Sequence, residues 1–461
     1  MLFKIAPLLY NDYKAFSSAR PETRKKKREK RPRFAIYACT AAERSEAAMR
    51  TAGIIAEYNP FHNGHQYQLE VFRQKHHLDY IIVIMSGNFT QRGEPACMDK
   101  HLRARSALLG GADLVLELPV FYALGSAPVF ASGAVAHLNR LNCIDYLCFG
   151  CETDGDSGRH LQLLEQAADI LIHEPAPFRE HLTDGLKSGL SYPAAREKAL
   201  KALMDVPPLL TQPNNILALE YVCALKASAS SIRPDILQRK GEGYHSSVQK
   251  GDFLSASALR GSLHSAKDLH YINALNGIPD TTRQILETFY RQRLPMASAD
   301  FSGLFAAAML SRSGSLTDYC DVTPDIANRM RRCFHEYTDL DSYLLRLKNR
   351  AYTYSRLSRC AAHILLDIPA SVLSRARADG YAYYARILGF RQNSRALLTL
   401  LKQTASIPMI TKMTACPEIL HGNGLRLMQA DIFAADIYRT ACQMKFGQPL
   451  KNEYSQPIVI I

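Results

Sequence analysis

Cysteine is scarce in this chain, with eleven residues among 461, an odd number. That density excludes a disulfide scaffold and leads us to expect a reducing, cytoplasmic setting. The one closely spaced pair, Cys148 and Cys151, has no second CxxC or HxxxH at zinc-site spacing, so a buried place at the end of an apolar run outweighs a zinc or redox role. A membrane-length apolar segment is also lacking. The opening MLFKIAPLLY is broken by Lys4 and Pro7 and is too short for a signal-peptide core. Leu118 to His137 carries no formal charge, yet Pro119, Pro128, Gly125 and Gly133 interrupt it, so a buried helix after a strand is expected and no membrane partner. Acidic side chains are in deficit, 43 against 56 Lys and Arg, a net charge of +13 that favours polyanionic partners without naming one.

Much of that excess is local. Residues 1–48 hold twelve Lys/Arg and five Asp/Glu, including the run RKKKREKRPR at 24–33, which cannot bury anything. We expect this stretch to be a solvated basic extension, an arm on RNA phosphates, or a non-native addition, because Met49 directly precedes a first strand. From residue 52, apolar runs at Gly53–Tyr58, Tyr80–Met85, Asp113–Leu118 and Asp145–Phe149 recur about every 30 residues, separated by stretches of helical length. Buried parallel strands with crossover helices read this way, so the expected fold class is α/β, a doubly wound parallel sheet with its ligand at the carboxyl ends of the strands. Ile236–Arg239 fits one more strand. After about residue 266 the periods are long and helical with no strand rhythm, apart from a closing QPIVII that suits a short strand. The expected units are therefore a basic extension over 1–48, a catalytic α/β domain over 49–265 and a mainly helical domain over 266–461.

The strongest motif is EYNPFHNGH, residues 57–65, between the first strand and the helical segment Gln66–Lys75. Free amides at a helix start favour an anion there, and Gly64 lets a nucleotide approach the backbone. His62 and His65, three apart around the first turn, can both donate to phosphate oxygens as charge builds during attack at phosphorus. Some 190 residues on, SASALR at 255–260 offers hydroxyls and helix-start amides with Arg260 three residues after Ser257, which suits a phosphate clamp. Alone, SxxR is an ordinary helix cap with a surface Arg. Paired with HxGH, it is characteristic of nucleotidyltransferases that attack the α-phosphate of a nucleoside triphosphate.

With GIIAEYNPFHNGH (53–65), MSGNFTQRGEPA (85–96), GADLVLELP (111–119), FGCE (149–152), QPNNILALEY (212–221), LQRKGEGYHS (237–246) and SASALR, the chain resembles the bacterial tRNA(Met) cytidine acetate ligases from Met49 to at least residue 410. The resemblance implies an adenylyltransferase-like fold and ATP as co-substrate, normally with Mg²⁺. It implies activation of acetate to acetyl-adenylate and acetyl transfer to N4 of the wobble cytidine of elongator tRNA(Met). It also implies ATP contacts along Ile55, Ala56, Glu57, Tyr58, Asn59, Pro60, Phe61, His62, Asn63, Gly64, His65, Gln66 and Tyr67, and at Gly150, Asn214 and Arg239. Cys151 and Ser257 depart from the residues expected there. Asn88, Gln91, Arg92 and Glu94 follow the second strand and would face the same crevice, Arg92 as a partner for acetate or the α-phosphate.

Residues 329–391 hold twelve Lys/Arg, five Asp/Glu and seven tyrosines, and Arg350, Tyr352, Arg356 and Arg359 are the expected RNA contacts, the last three on one helical face. Ala351 falls where the family's basic block would have a basic side chain. Two other readings stay open: a small-molecule adenylyltransferase with the same HxGH chemistry, and a non-enzymatic tRNA-binding protein.

Overall fold

The computed structural model describes residues 49–152, 156–205, 212–239, 254–266, 268, 270 and 275–461. The basic extension and residues 240–246 of the LQRKGEGYHS block lie outside these. β1 (Thr51–Ala56) runs into α1 (Asn63–His76), β2 (Tyr80–Ser86) into α2 (Lys100–Leu109), and β3 (Leu114–Leu118) into α3 (Ala127–Leu141). β4 (Tyr146–Cys151) leads through further helices to α4 (Pro213–Ala227) and β5 (Arg233–Gln238). Then come α5 (Ala256–Ser265) and a helical stretch containing α6 (Tyr354–Leu365). After it the chain forms β6 (Ala385–Phe390), β7 (Met409–Ile410), α7 (Gly422–Phe446) and β8 (Val459–Ile460).

The strands form one sheet in the order β5-β4-β1-β2-β3-β6-β7, with β8 also on β6. The first five are parallel, as expected, and their side chains alternate between two cores. Ile54, Ile81, Val83 and Met85 meet Phe72 of α1 and Leu108 of α2 on one face, while Ile55, Ile82, Ile84 and Leu116 meet α3 and the C-terminal helices on the other. Burial on both faces is why β1 to β4 read as continuous apolar runs, whereas the edge strand β5 is mostly half-buried and runs over Arg233–Gln238, ending before Arg239. The chain order reverses between β1 and β4, so a ligand crevice opens at their carboxyl ends.

The region after residue 266 is not free of strands. β6 lies antiparallel on β3, and β7 and β8 extend the sheet from it. This return is held by charge. Glu117 of β3 sits opposite Arg386 of β6, their groups 2.8 Å apart, and Lys100 of α2 reaches Glu117 at 2.8 Å and Glu453 of the C-terminal tail at 2.9 Å. Arg386 also pairs with Glu453. All four side chains are almost wholly buried, which is tolerable only because two cations and two anions satisfy one another. Glu117→Ala strands Lys100 and Arg386 without their shared carboxylate. It should therefore lower unfolding free energy by about 3–5 kcal/mol in chemical denaturation.

Candidate active site

α1 begins on His62, whose extended backbone ends the loop from β1. The His62 amide donates to Nδ1 of His65 at 3.2 Å, and the two rings stack with centroids 3.5 Å apart and planes 19° from parallel. Because His65 Nδ1 accepts, its proton resides on Nε2. Tyr58 and Phe61 pack around the His65 ring at 4.7 and 5.6 Å. His62 is buried, and its Nδ1 meets no partner among the described residues. Burial, with the nearby Arg239 guanidinium, pulls the His62 imidazole down to about 3. Burial, His62 and Arg239 hold His65 well below the usual histidine value. Both rings are therefore neutral donors at pH 7.

The free helix-start amides expected here are partly spoken for. The Asn63 amide donates to the Gly277 carbonyl at 2.9 Å, which ties the loop to a segment 214 residues away. Gly64 continues the helix, Gln66 turns outward to Glu70 at 2.8 Å, and Tyr67 is half-buried. Of the other expected contacts, Ile55 and Ala56 end β1. Tyr58 and Phe61 have side chains sealed into the core, so only their backbone is available to a ligand. Pro60 is buried beside Asn59, whose carboxamide oxygen accepts from the Cys97 amide at 2.8 Å.

The second motif does reach the first. Ser255 caps α5, and Arg260 donates to the Asn59 carbonyl at 2.9 Å and to the Ser257 hydroxyl at 3.2 Å. Across the crevice, a Cβ on Gly150 would stand 3.2 Å from Cγ of Arg239, so glycine leaves room for that arginine's aliphatic stem at the β4 edge. Arg239 lies 3.8 Å from Glu152, which also accepts from the Asn214 carboxamide. Glu57, enclosed at the crevice floor, accepts from the Gln91 amide at 2.6 Å, and burial raises its carboxyl above the usual range.

Three residues that sequence reasoning passed over shape this floor. Arg103, fully buried on α2, donates to the carbonyls of Glu57, Ser86, Gly87 and Met98. It thereby clamps the ends of β1 and β2 to each other. Asn215, next to the expected Asn214, exchanges two hydrogen bonds of 2.8 and 2.9 Å with the Glu152 backbone. Glu152 itself bridges Asn214 and Arg239. Of the residues after β2, Asn88 accepts from the Lys100 amide at 2.8 Å and so caps the loop, Gln91 reaches the Gly125 carbonyl at 3.2 Å, and Arg92 is exposed.

Cys148 and Cys151 stand on opposite faces of β4, one in each core, so they form neither a redox pair nor half a zinc site. Among the described residues no group of three His, Cys, Asp or Glu side chains converges on a point that could hold a metal. A cavity of about 560 Å³ lies elsewhere, behind α2, lined by His101, Arg105, Ile285, Phe289, Arg293 and Ile458, and none of the expected site residues borders it.

The expected RNA contacts occupy another surface. Tyr352 precedes α6 and so is not on its face, Arg350 is exposed, and the Arg356 guanidinium lies 5.4 Å over the Tyr352 ring. Arg359 is mostly covered and pairs with Asp321 at 2.9 Å.

With this geometry, comparison with known proteins is decisive. The HIGH Nucleotidyl Transferase family matches residues 49–453. The tRNA(Met) cytidine acetate ligase of Thermoanaerobacter sp. (strain X514) is 38% identical over 397 residues, 85% of this chain and 96% of that protein. The one of Acetivibrio thermocellus is 34% identical over 424 residues, 90% of this chain and 100% of that protein. The chain belongs to the tRNA(Met) cytidine acetate ligase family. Crystal structures of Thermotoga maritima TmcAL, apo and bound with alpha-thio ATP, each superpose with a TM-score of 0.81 at 28% identity, covering 90% of this chain and 100% of that one. No described helix is long and apolar enough to cross a membrane.

In this family member the sign of the histidine shifts sets an acid sensitivity. A ring whose folded value lies below its unfolded one binds protons first in the unfolded state, so its contribution is complete above about pH 6.5 and is lost as pH falls from there toward about 3. His62→Gln should therefore lose less stability than the unsubstituted protein between pH 7 and pH 5. The difference should approach about 1.4 kcal/mol per pH unit in paired denaturation curves.

Proposed function

We propose that this protein activates acetate with ATP and transfers the acetyl group to N4 of the wobble cytidine of elongator tRNA(Met), in a reducing cytoplasmic setting. The observation that carries the reading is the stacked, uncharged His62–His65 pair at the end of β1, with Arg239 brought to it just beyond β5 and Arg260 from α5. Membership of a family whose curated members bear that name, and a structural neighbour bound with alpha-thio ATP, support it.

Adenylation begins with attack of an acetate oxygen on the α-phosphorus of ATP, and pyrophosphate departs. The negative charge gathering on the phosphoryl oxygens is met by N–H donors of the two imidazoles and by the Arg239 and Arg260 guanidiniums. The orphaned, buried Nδ1 of His62 marks a polar atom awaiting a partner, which suits a site that a charged ligand completes. Gly150 and the Asn214 carboxamide border the same crevice, Ser257 steadies Arg260, and residues 55–67 supply its floor. In the second step the N4 amine attacks the acetyl carbonyl and AMP leaves. Cytidine N4 is a weak nucleophile because its lone pair is delocalised into the ring, so alignment supplies much of the rate. A wobble base is already unpaired, which lowers the cost of extruding it. Arg350, Arg356 and Tyr352, set in a catalytic-plus-helical division of the chain near residue 265, form the RNA-facing patch. The described carboxylates offer Mg²⁺ no ready cage. It would enter with the phosphates and offset their charge.

The test is incubation with ATP, isotopically labelled acetate and tRNA, followed by mass analysis of the nucleosides. Label is expected in N4-acetylcytidine, and its absence from every nucleoside would remove the reading. His65→Ala should slow acetate-dependent exchange of pyrophosphate into ATP by about 10²–10³-fold, the usual effect of losing one transition-state donor. Exchange driven equally by unrelated acceptors would instead favour a small-molecule adenylyltransferase.

A further inference from the structure

The nucleotide crevice and the RNA-facing patch are joined through a buried seam. The loop after β2 folds tightly on itself: the Thr90 amide and hydroxyl donate to the Glu94 carbonyl at 2.9 and 3.0 Å, and the Gly93 amide donates to the Thr90 carbonyl at 2.9 Å. One side of this loop faces the crevice, where the Gln91 amide holds Glu57. The other side carries α6. The Ser358 hydroxyl donates to the Gly93 carbonyl at 3.0 Å. The backbones meet so closely that a Cβ on Gly93 would lie 2.3 Å from the Arg359 nitrogen and 2.4 Å from the Ser358 carbonyl carbon. Gly93 also has φ +84, so both its space and its conformation require glycine. One turn further on, His363 seats the same helix on the loop after β3, its Nε2 3.1 Å from the Leu124 carbonyl and its Nδ1 2.8 Å from the Cys320 carbonyl. Ser358 and His363 are buried.

Ser358 and Arg356 are two residues apart on a helix, about 200° around its axis, so the seam and the RNA-facing side lie back to back. Whatever shifts the seam shifts Arg356 relative to the crevice. We propose that Gly93 and Ser358 are positioning residues for acetyl transfer: they set the RNA-bearing helix at the distance from which the cytidine amine can reach the activated carbonyl. The inference rests on the ligase reading above and deepens it. Adenylation needs only the crevice, whereas transfer needs the crevice and α6 in register, so damage to the seam separates the two half-reactions.

The experiment measures three quantities in the full-length protein: acetate-dependent pyrophosphate exchange, tRNA affinity, and single-turnover transfer from preformed acetyl-adenylate. Ser358→Ala should leave exchange and affinity within about twofold and slow transfer by about fivefold to tenfold, the weight of one buried hydrogen bond. Gly93→Ala, which forces the helix away, should slow transfer by about 10²-fold, and Ser358→Thr, which keeps the hydroxyl, should retain it. If Gly93→Ala does not fold, the two Ser358 variants carry the test alone. Unchanged transfer in Ser358→Ala, or an equal fall in both half-reactions, would overturn the proposal. Absence of acetate-dependent exchange in the unsubstituted protein would overturn the ligase reading itself and this inference with it.

Discussion

Two imidazoles kept uncharged against one another, at the point where the first strand gives way to its helix, are the constraint on which the site depends. A pair of histidines in face-to-face contact beside an arginine cannot both carry charge without a counter-anion, and enclosure by Tyr58, Phe61 and the crevice walls removes the water that would otherwise screen them. The site is thus electropositive through its arginines and hydrogen-bond-donating through its rings, with no proton to shed first. In the proposed reaction a polyphosphate would supply the missing negative charge, and preorganised donors of this kind cost no reorganisation when charge moves onto the phosphorus.

The fold holds that pair in place by tying down the carbonyls around it. Arg103 gathers the ends of β1 and β2 from below, Arg260 grips Asn59 from α5, Gly277 takes the Asn63 amide, and Asn215 fixes the turn out of β4. These ties come from segments distant in sequence, so the loop from β1 to α1 is positioned by the whole domain. The C-terminal half takes part as well. Its strand β6 is bolted to β3 through the Glu117, Arg386, Lys100 and Glu453 cluster, and Tyr438 of α7 donates to the Ala96 carbonyl at 2.7 Å. Catalytic sheet and helical region are therefore one packed body where they meet.

What could be read from the sequence follows the same physics. Strands β1 to β4 are legible because burial on both faces writes itself as apolar runs, whereas β5, RPDILQ, is only partly buried and shows in the sequence as little more than its Ile236-Leu237 pair. HxGH was legible because its position after a first strand is itself a geometric statement. β6 was not, since ARILGF places a charged Arg386 inside a strand and its partners Glu117 and Glu453 lie far away along the chain. Arg103 was hidden for a related reason: in KHLRARSALL a buried guanidinium looks like one more surface cation, and only the carbonyls it meets distinguish it. Family resemblance points to Asn214, whereas nothing in the sequence marks its neighbour Asn215, which fixes the Glu152 backbone. The sequence pattern puts the expected RNA contacts on one helical stripe, yet α6 starts after Tyr352 and Arg359 is drawn to Asp321.

The most direct test of the central claim is a ¹⁵N NMR titration of the His65 ring, in the free protein and with ATP. Nitrogen shifts at pH 7 should report a neutral ring protonated on Nε2, with a pKa well below 6.5 that rises once the nucleotide's charge is bound. A ring protonated on Nδ1, or one titrating near 6.5 and indifferent to ATP, would contradict the account.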